Sequence, residues 1–145
     1  MALLDWTDEL VLGEARMDHT HREFVACLNA LGAADDSGLG EALDRFIAHT
    51  DAHFADENAR MEETGFPPSH CHANEHENVL KICREVRVMV ADGKLEVGRV
   101  LAREMAPWFK HHAGTMDNML AYWLKLDVPG RQAALAEGAR RQAEM

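Results

Sequence analysis

His49 to His76 reads HTDAHFADENARMEETGFPPSHCHANEH. His53 and Glu57 stand four residues apart, and beyond a Gly65-Phe66-Pro67-Pro68 break His72 and His76 repeat that spacing. On an α-helix, positions i and i+4 lie on one face about a turn apart, so each pair aims two donors at one spot. A single HxxxH is an ordinary surface pattern, and nine histidines in 145 residues produce some such pairs by chance. Two pairs on facing antiparallel helices are a stronger signal, because together they could hold a metal. Neutral imidazoles with a carboxylate suit iron, zinc, nickel or copper better than calcium or magnesium, which prefer oxygen shells.

Outward from this stretch the apolar residues keep a helical period. Leu43, Phe46, Ile47, Thr50, His53, Glu57 and Met61 share the inner face of a helix expected over about 41–64. A lone carboxylate on that face costs several kcal/mol unless it is paired or metal-bound, so Glu57 favours a metal. His49 sits at the edge of the stripe and reads as spare. The Gly65-Phe66-Pro67-Pro68 turn stops the helix, since proline lacks an N–H and restricts the residue before it. Ser69 is the expected N-cap of the next helix, whose inner face reads His72, His76, Val79, Leu80, Cys83, Val86 and Val90, with His70 off it.

Upstream, His21, Phe24, Val25, Leu28 and Leu31 form one face of a helix expected from Asp18 to the GAADDSGLG loop at 32–40. Asp18 fits either that helix's N-cap or an acceptor for the second ring nitrogen of His21. Downstream, a helix over about 95–126 turns Val97, Leu101, Met105, Trp108, His112, Thr115 and Met119 inward, with a bend expected at Pro107. His111 is off the stripe. His112 and Asp117 are five apart, about 140° around a regular helix. They converge only if splayed to both edges of the stripe or if the helix carries a π-bulge.

The fold class that follows is all-α: an up-down-up-down antiparallel four-helix bundle over 18–126, with an N-terminal arm over 1–17. Pro129-Gly130 is expected to end the bundle, leaving a short C-terminal helix or frayed tail over 127–145. A chain of 145 residues, 47% hydrophobic and 28% charged, fits one domain with one core. Its formal charge of −10, from 25 acidic against 15 basic residues, argues against nucleic acid or a membrane surface as partner. No apolar run is long enough to span a membrane. The start, MALLDWTDEL, lacks a basic segment and long apolar core of a secretory signal. Cys27, Cys71 and Cys83 form no CxxC and fit a reducing cytoplasm, the expected location.

Collected, the inward polar residues are one His on the first helix, His and Glu on the second, two His on the third, and His and Asp on the fourth. Five nitrogens and two carboxylates are too many for one metal but suit two. If both carboxylates and one solvent oxygen bridge, three His complete six donors at one metal and two His leave the other with five. One position then stays open, on one metal only.

These residues resemble the hemerythrin family, and within it the single-domain bacteriohemerythrins. The opening motif appears as Trp6, Gly13 and MDHTHREF with Asp18 and His21; the His-Phe-x-x-Glu motif as HFADE; the turn and HxxxH as GFPPSHCHANEH; the last motif as WFKHHAGTMD. The likeness covers roughly residues 6 to 126 and retains all seven ligand positions. Thr20 stands where a Gln commonly precedes the first ligand, and Asn58 where a second acidic residue often follows the bridging Glu.

The resemblance implies two oxo- or hydroxo-bridged non-haem iron ions: His72, His76 and His112 on the six-coordinate iron, His21 and His53 on the open one, Glu57 and Asp117 as bridges. It implies reversible binding of dioxygen, held as hydroperoxide at the five-coordinate iron, with Trp108, Phe109, Phe24 and Phe54 as candidates for the pocket wall. No enzyme activity is expected beyond a weak oxidase or peroxidase side reaction. An oxygen-consuming enzyme is the expected recipient, and nothing fixes the oligomeric state, with a monomer the default. The rivals are a ferritin-like di-iron oxidase or iron-handling protein, a sensor of oxygen, redox state, nitric oxide or iron, and a mononuclear zinc protein. Ferritin-like sites use Glu-x-x-His pairs, and no Glu stands three residues before any His here.

Overall fold

The computed structural model describes residues 2–144. Four antiparallel helical rods make an up-down-up-down bundle, each packed on the next and the first closing on the fourth. α1 spans Ala15–Ala33, α2 Leu39–Thr64 and α3 Ser69–Ala91. The fourth rod is built from α4 (Leu95–His112), a π-helical segment at Ala113–Asp117, and α5 (Asn118–Lys125). α6 (Val128–Ala143) follows.

α1 begins three residues earlier than its apolar stripe suggests, because Glu14 caps it by accepting from Met17 N–H at 2.7 Å. Arg60 of α2 grips the same Glu14 carboxylate at 2.6 Å, which ties the start of α1 to α2. Asp18 therefore lies within the first turn and is neither the cap nor an acceptor for His21. Its carboxylate instead accepts from the backbone N–H groups of Leu12 (2.8 Å) and Gly13 (3.1 Å). Asn29 clamps the arm at its other end, accepting from Leu3 and Leu4 N–H and donating to Leu4 C=O. A side chain at Gly32 would collide with Leu3, so the arm lies against bare backbone there.

α2 ends at Thr64, at the expected turn, and Gly65 is the residue that closes it. Gly65 takes φ +68°, and the Phe66 N–H turns back to the Met61 carbonyl at 3.0 Å, a Schellman-type closure that satisfies a terminal carbonyl. Pro67 and Pro68 then fill the turn. Pro68 holds the cap position of α3, and Ser69 is the first helical residue. The buried face of α3 is His72, His76, Val79, Leu80, Cys83, Val86 and Val90, the stripe that helical periodicity predicts.

The fourth rod departs from that periodicity. Helix geometry runs through the exposed Pro107, and inward positions hold as far as Leu101, Met105 and His112. Val97 and Trp108 are only partly buried. The π segment then inserts one extra residue, so the register advances by one. Thr115 and Met119 face solvent, and Asp117, Leu120, Ala121 and Trp123 are buried in their stead.

Pro129-Gly130 lies beyond the fourth rod, in the first turn of α6, where proline's missing N–H costs nothing. Asp127 caps that turn by accepting from Gly130 N–H at 2.7 Å. None of the sixteen residues of α6 is buried.

The apolar core is split in two. A larger cluster gathers Phe24, Leu28, Leu31, Leu39, Leu43, Phe46, Phe54, Val79, Cys83, Leu101, Phe109 and their neighbours. A smaller one holds Leu12, Met17, Met61, Phe66, Leu120, Ala121 and Trp123. On every rod the clustered His, Glu and Asp side chains lie where the two clusters meet. Asp18 pins the arm at this junction, and Asp18→Ala would leave two backbone N–H groups without their acceptor. We expect a loss of about 1–3 kcal/mol in urea denaturation; an unchanged midpoint would show that the contact is idle.

Candidate metal centre

Four helical rods each contribute to one polar layer. His21 comes from α1, His53 and Glu57 from α2, His72 and His76 from α3, His112 from the last turn of α4, and Asp117 from the end of the π segment. All seven are buried. The π segment is what turns both His112 and Asp117 inward across a spacing of five.

The two carboxylates divide their oxygens between two groups of imidazoles. Glu57 Oε1 lies 3.5 Å from His72 Nε2 and 3.4 Å from His76 Nε2, and Asp117 Oδ1 lies 3.0 Å from both His72 Nε2 and His112 Nε2. The other oxygens face the opposite way. Glu57 Oε2 is 2.7 Å from His53 Nε2 and 3.5 Å from His21 Nε2, and Asp117 Oδ2 is 3.1 Å from His21 Nε2. Two donor sets result, Glu57-His72-His76-His112-Asp117 and His21-His53-Glu57, each with its donor atoms within 4.8 Å of one another.

The donor chemistry fits a metal. His21 Nε2, His76 Nε2, Glu57 Oε1 and both Asp117 oxygens are buried without an aligned hydrogen bond, although they crowd one another at 3.0–3.5 Å. Carboxylates converging in an apolar interior need positive charge between them, from protons on the imidazoles or from metal ions. Among the described residues no buried Lys or Arg supplies it. Burial opposes ionisation of Glu57, but the surrounding imidazoles, His53 first and then His21 and His72, outweigh it and hold the carboxyl well below its usual range. Burial and the Glu57 charge raise the Asp117 pKa, and His112, His21 and His72 more than offset them. Burial depresses the imidazoles in turn. Asp117 and Glu57 overcome it at His21 and His72, both pushed up to about 9, whereas at His76 burial prevails and the pKa falls.

His49 stays outside both donor sets, half-buried with its ring centroid 5.9 Å from that of His53. His70 and His111 are exposed. Cys83 is core, its thiol pushed up to about 11 by burial. The four candidate wall aromatics divide. Phe109 meets the His21 ring edge-on at 5.1 Å and stacks on Phe24 at 4.4 Å, while Phe24 also meets His53 at 6.1 Å. Phe54 stacks on His76 at 3.9 Å, and Trp108 on His112 at 4.7 Å. Trp108 thus backs the three-histidine group, not the His21/His53 group expected to carry the open position.

Sequence reasoning passed over two polar neighbours. Asn58 Oδ1 accepts from His76 Nδ1–H at 2.8 Å, and Glu75 Oε1 accepts from both Trp108 Nε1–H (3.1 Å) and His112 Nδ1–H (3.2 Å). Asn58 was visible only as a departure from a motif. Glu75 lies off the apolar stripe of α3, and its partners are on another helix.

Fold and site together define a four-helix protein with a buried His/Glu/Asp metal-binding cluster. The chain belongs to the hemerythrin family: the profile of the hemerythrin HHE cation binding domain matches residues 12–124. It is similar to the bacteriohemerythrin of Ralstonia nicotianae, with 49% identity over 137 residues, 94% of this chain and 100% of that protein. The bacteriohemerythrin of Stenotrophomonas maltophilia is 33% identical over 129 residues, 86% of this chain and 84% of that one. In fold, the crystal structure of a hemerythrin point mutant aligns with a TM-score of 0.80 at 24% identity, over 87% of this chain and 100% of that one.

Because Glu57 belongs to both donor sets and His49 to neither, their substitutions should separate. Glu57→Ala is expected to lower the bound metal at both positions and His49→Ala to leave it unchanged, read by elemental analysis of freshly loaded protein. Equal losses would show that the sets are drawn wrongly.

Proposed function

We propose that this protein binds dioxygen reversibly at a centre of two iron ions, as a carrier, store or delivery protein and not as an enzyme. The observation that carries this reading is the division of the two buried carboxylates: one oxygen of each faces His72, His76 and His112, and the other faces His21 or His53. A donor set of five imidazoles and two carboxylates suits transition metals. Three histidines on one side and two on the other leave the second position a donor short, with room for a ligand. Two ferrous ions held by these seven residues would supply one electron each, the two that reversible dioxygen binding requires.

The chain's own residues do the rest. Glu57 and Asp117 hold the two positions together, each reaching both groups of imidazoles with its own pair of oxygens. Phe24 and Phe109 stack as an apolar wall against His21 and His53, and an apolar wall there keeps water and anions from the bound gas. Among the described residues no helix is long and apolar enough to cross a membrane. We take the cytoplasm as the site of action and an oxygen-consuming enzyme as the recipient.

Protein loaded and reduced without air should contain two irons per chain, develop visible absorption on exposure to oxygen, and lose it under argon over repeated cycles. One zinc per chain, or an absorption that decays irreversibly as a reductant is consumed, would overturn the reading. His21→Ala should remove one iron of the two and abolish the reversible spectrum. Phe109→Leu should keep both irons and lose the oxygenated spectrum faster; an equal rate would remove Phe109 from the wall.

A further inference from the structure

The outer nitrogens of the five clustered imidazoles are treated unequally. His112 Nδ1–H is accepted by Glu75 and His76 Nδ1–H by Asn58. The Nδ1 atoms of His21, His53 and His72 are buried with no partner. The imidazoles that have an acceptor thus all belong to the three-histidine group, and the only ionisable acceptor is Glu75.

Glu75 is held to this task from a second direction. Its Oε1 also accepts from the Trp108 indole N–H, and the Trp108 ring lies nearly parallel to His112 at 17°, with centroids 4.7 Å apart. Glu75 and Trp108 are on different rods, α3 and α4, yet one oxygen serves both donors. A carboxylate that merely decorated the surface would have no reason to converge on a buried imidazole and its stacking partner. An acceptor at Nδ1 places the proton there and leaves the Nε2 lone pair facing Asp117 Oδ1 and His72 Nε2. A carboxylate in this place also makes the imidazole a stronger donor, and loss of such a partner typically weakens metal binding about 10–100-fold.

We propose that Glu75, anchored by Trp108, is a positioning residue that fixes the His112 tautomer and ring plane and makes the His72/His76/His112 position the tighter of two metal sites. This rests on the reading that the seven clustered residues bind two irons. The protein then loads in order, first on the three-histidine side and second at the His21/His53 side, whose imidazoles lack acceptors. The side left weaker is the one that reading assigns to gas.

The test is an anaerobic titration of the metal-free full-length protein with ferrous ion, using a chelator to measure each step, repeated with cobaltous ion to follow the ligand-field bands. Wild-type protein should take up two ions in separated steps. Glu75→Ala should weaken the tighter step by about 10–100-fold, shift the bands that appear with it, and leave the weaker step in place. Glu75→Gln, which keeps an acceptor without the charge, should fall between. Trp108→Phe, which keeps the stacking ring but not the N–H, should shift the same bands to a smaller degree. Circular dichroism confirms that each variant is folded before loading. An unchanged tighter step in Glu75→Ala, or equal weakening of both steps in a folded variant, overturns the role given to Glu75 and leaves the two-iron reading intact. Uptake of a single ion by the wild-type protein overturns both.

Discussion

Two ionised carboxylates, buried among five imidazoles and lying between apolar clusters, are the constraint around which this bundle is built. Taking such charges out of water costs several kcal/mol each after relaxation, and among the described residues no lysine or arginine is buried with them. The larger core cluster on one side and the smaller on the other supply the opposing burial. Each rod has to present its polar residue at the same height, and this fixes how the four slide along one another. Glu14 capping α1 while held by Arg60 of α2, and the arm pinned by Asp18, lock that height at the end of the bundle nearest the layer, while Asn29 holds the arm near the other end of α1.

The helical period made most of this legible. On α2 and α3 the spacing of four places His53 with Glu57 and His72 with His76 on the faces that carry Leu43, Phe46, Val79 and Leu80, and the structure buries them all. The fourth rod was legible only as a pair of alternatives, because a spacing of five between two inward donors contradicts a regular helix without saying how the contradiction is resolved. The inserted residue of the π segment resolves it, and everything beyond moves by one position. Thr115 and Met119 consequently face outward where simple periodicity turned them in. Local capping was the other weak point: Glu14 outcompetes Asp18, and Pro68 stands where Ser69 was expected. Such choices depend on contacts made by neighbouring helices. Glu75 was invisible for the same reason, since a charged residue off the apolar stripe looks like any solvated one until the helix beside it is in place.

The site is asymmetric in more than its count of histidines. Phe24 and Phe109 line the two-histidine side, whereas the three-histidine side is braced by Phe54 and Trp108 stacking and by hydrogen-bond acceptors on His76 and His112. One half is therefore braced by stacked rings and hydrogen-bond acceptors, the other by apolar contact.

α6 leads to a different matter. It is moored through Arg131, whose guanidinium donates to the Trp123 and Leu124 carbonyls and lies over the Trp123 ring, and is steadied along its length by Glu137 with Arg140 and Arg141. With no buried side chain it falls at the low end of the range of local opening free energies. Early amide exchange and a first protease cut are expected there, ahead of the four rods.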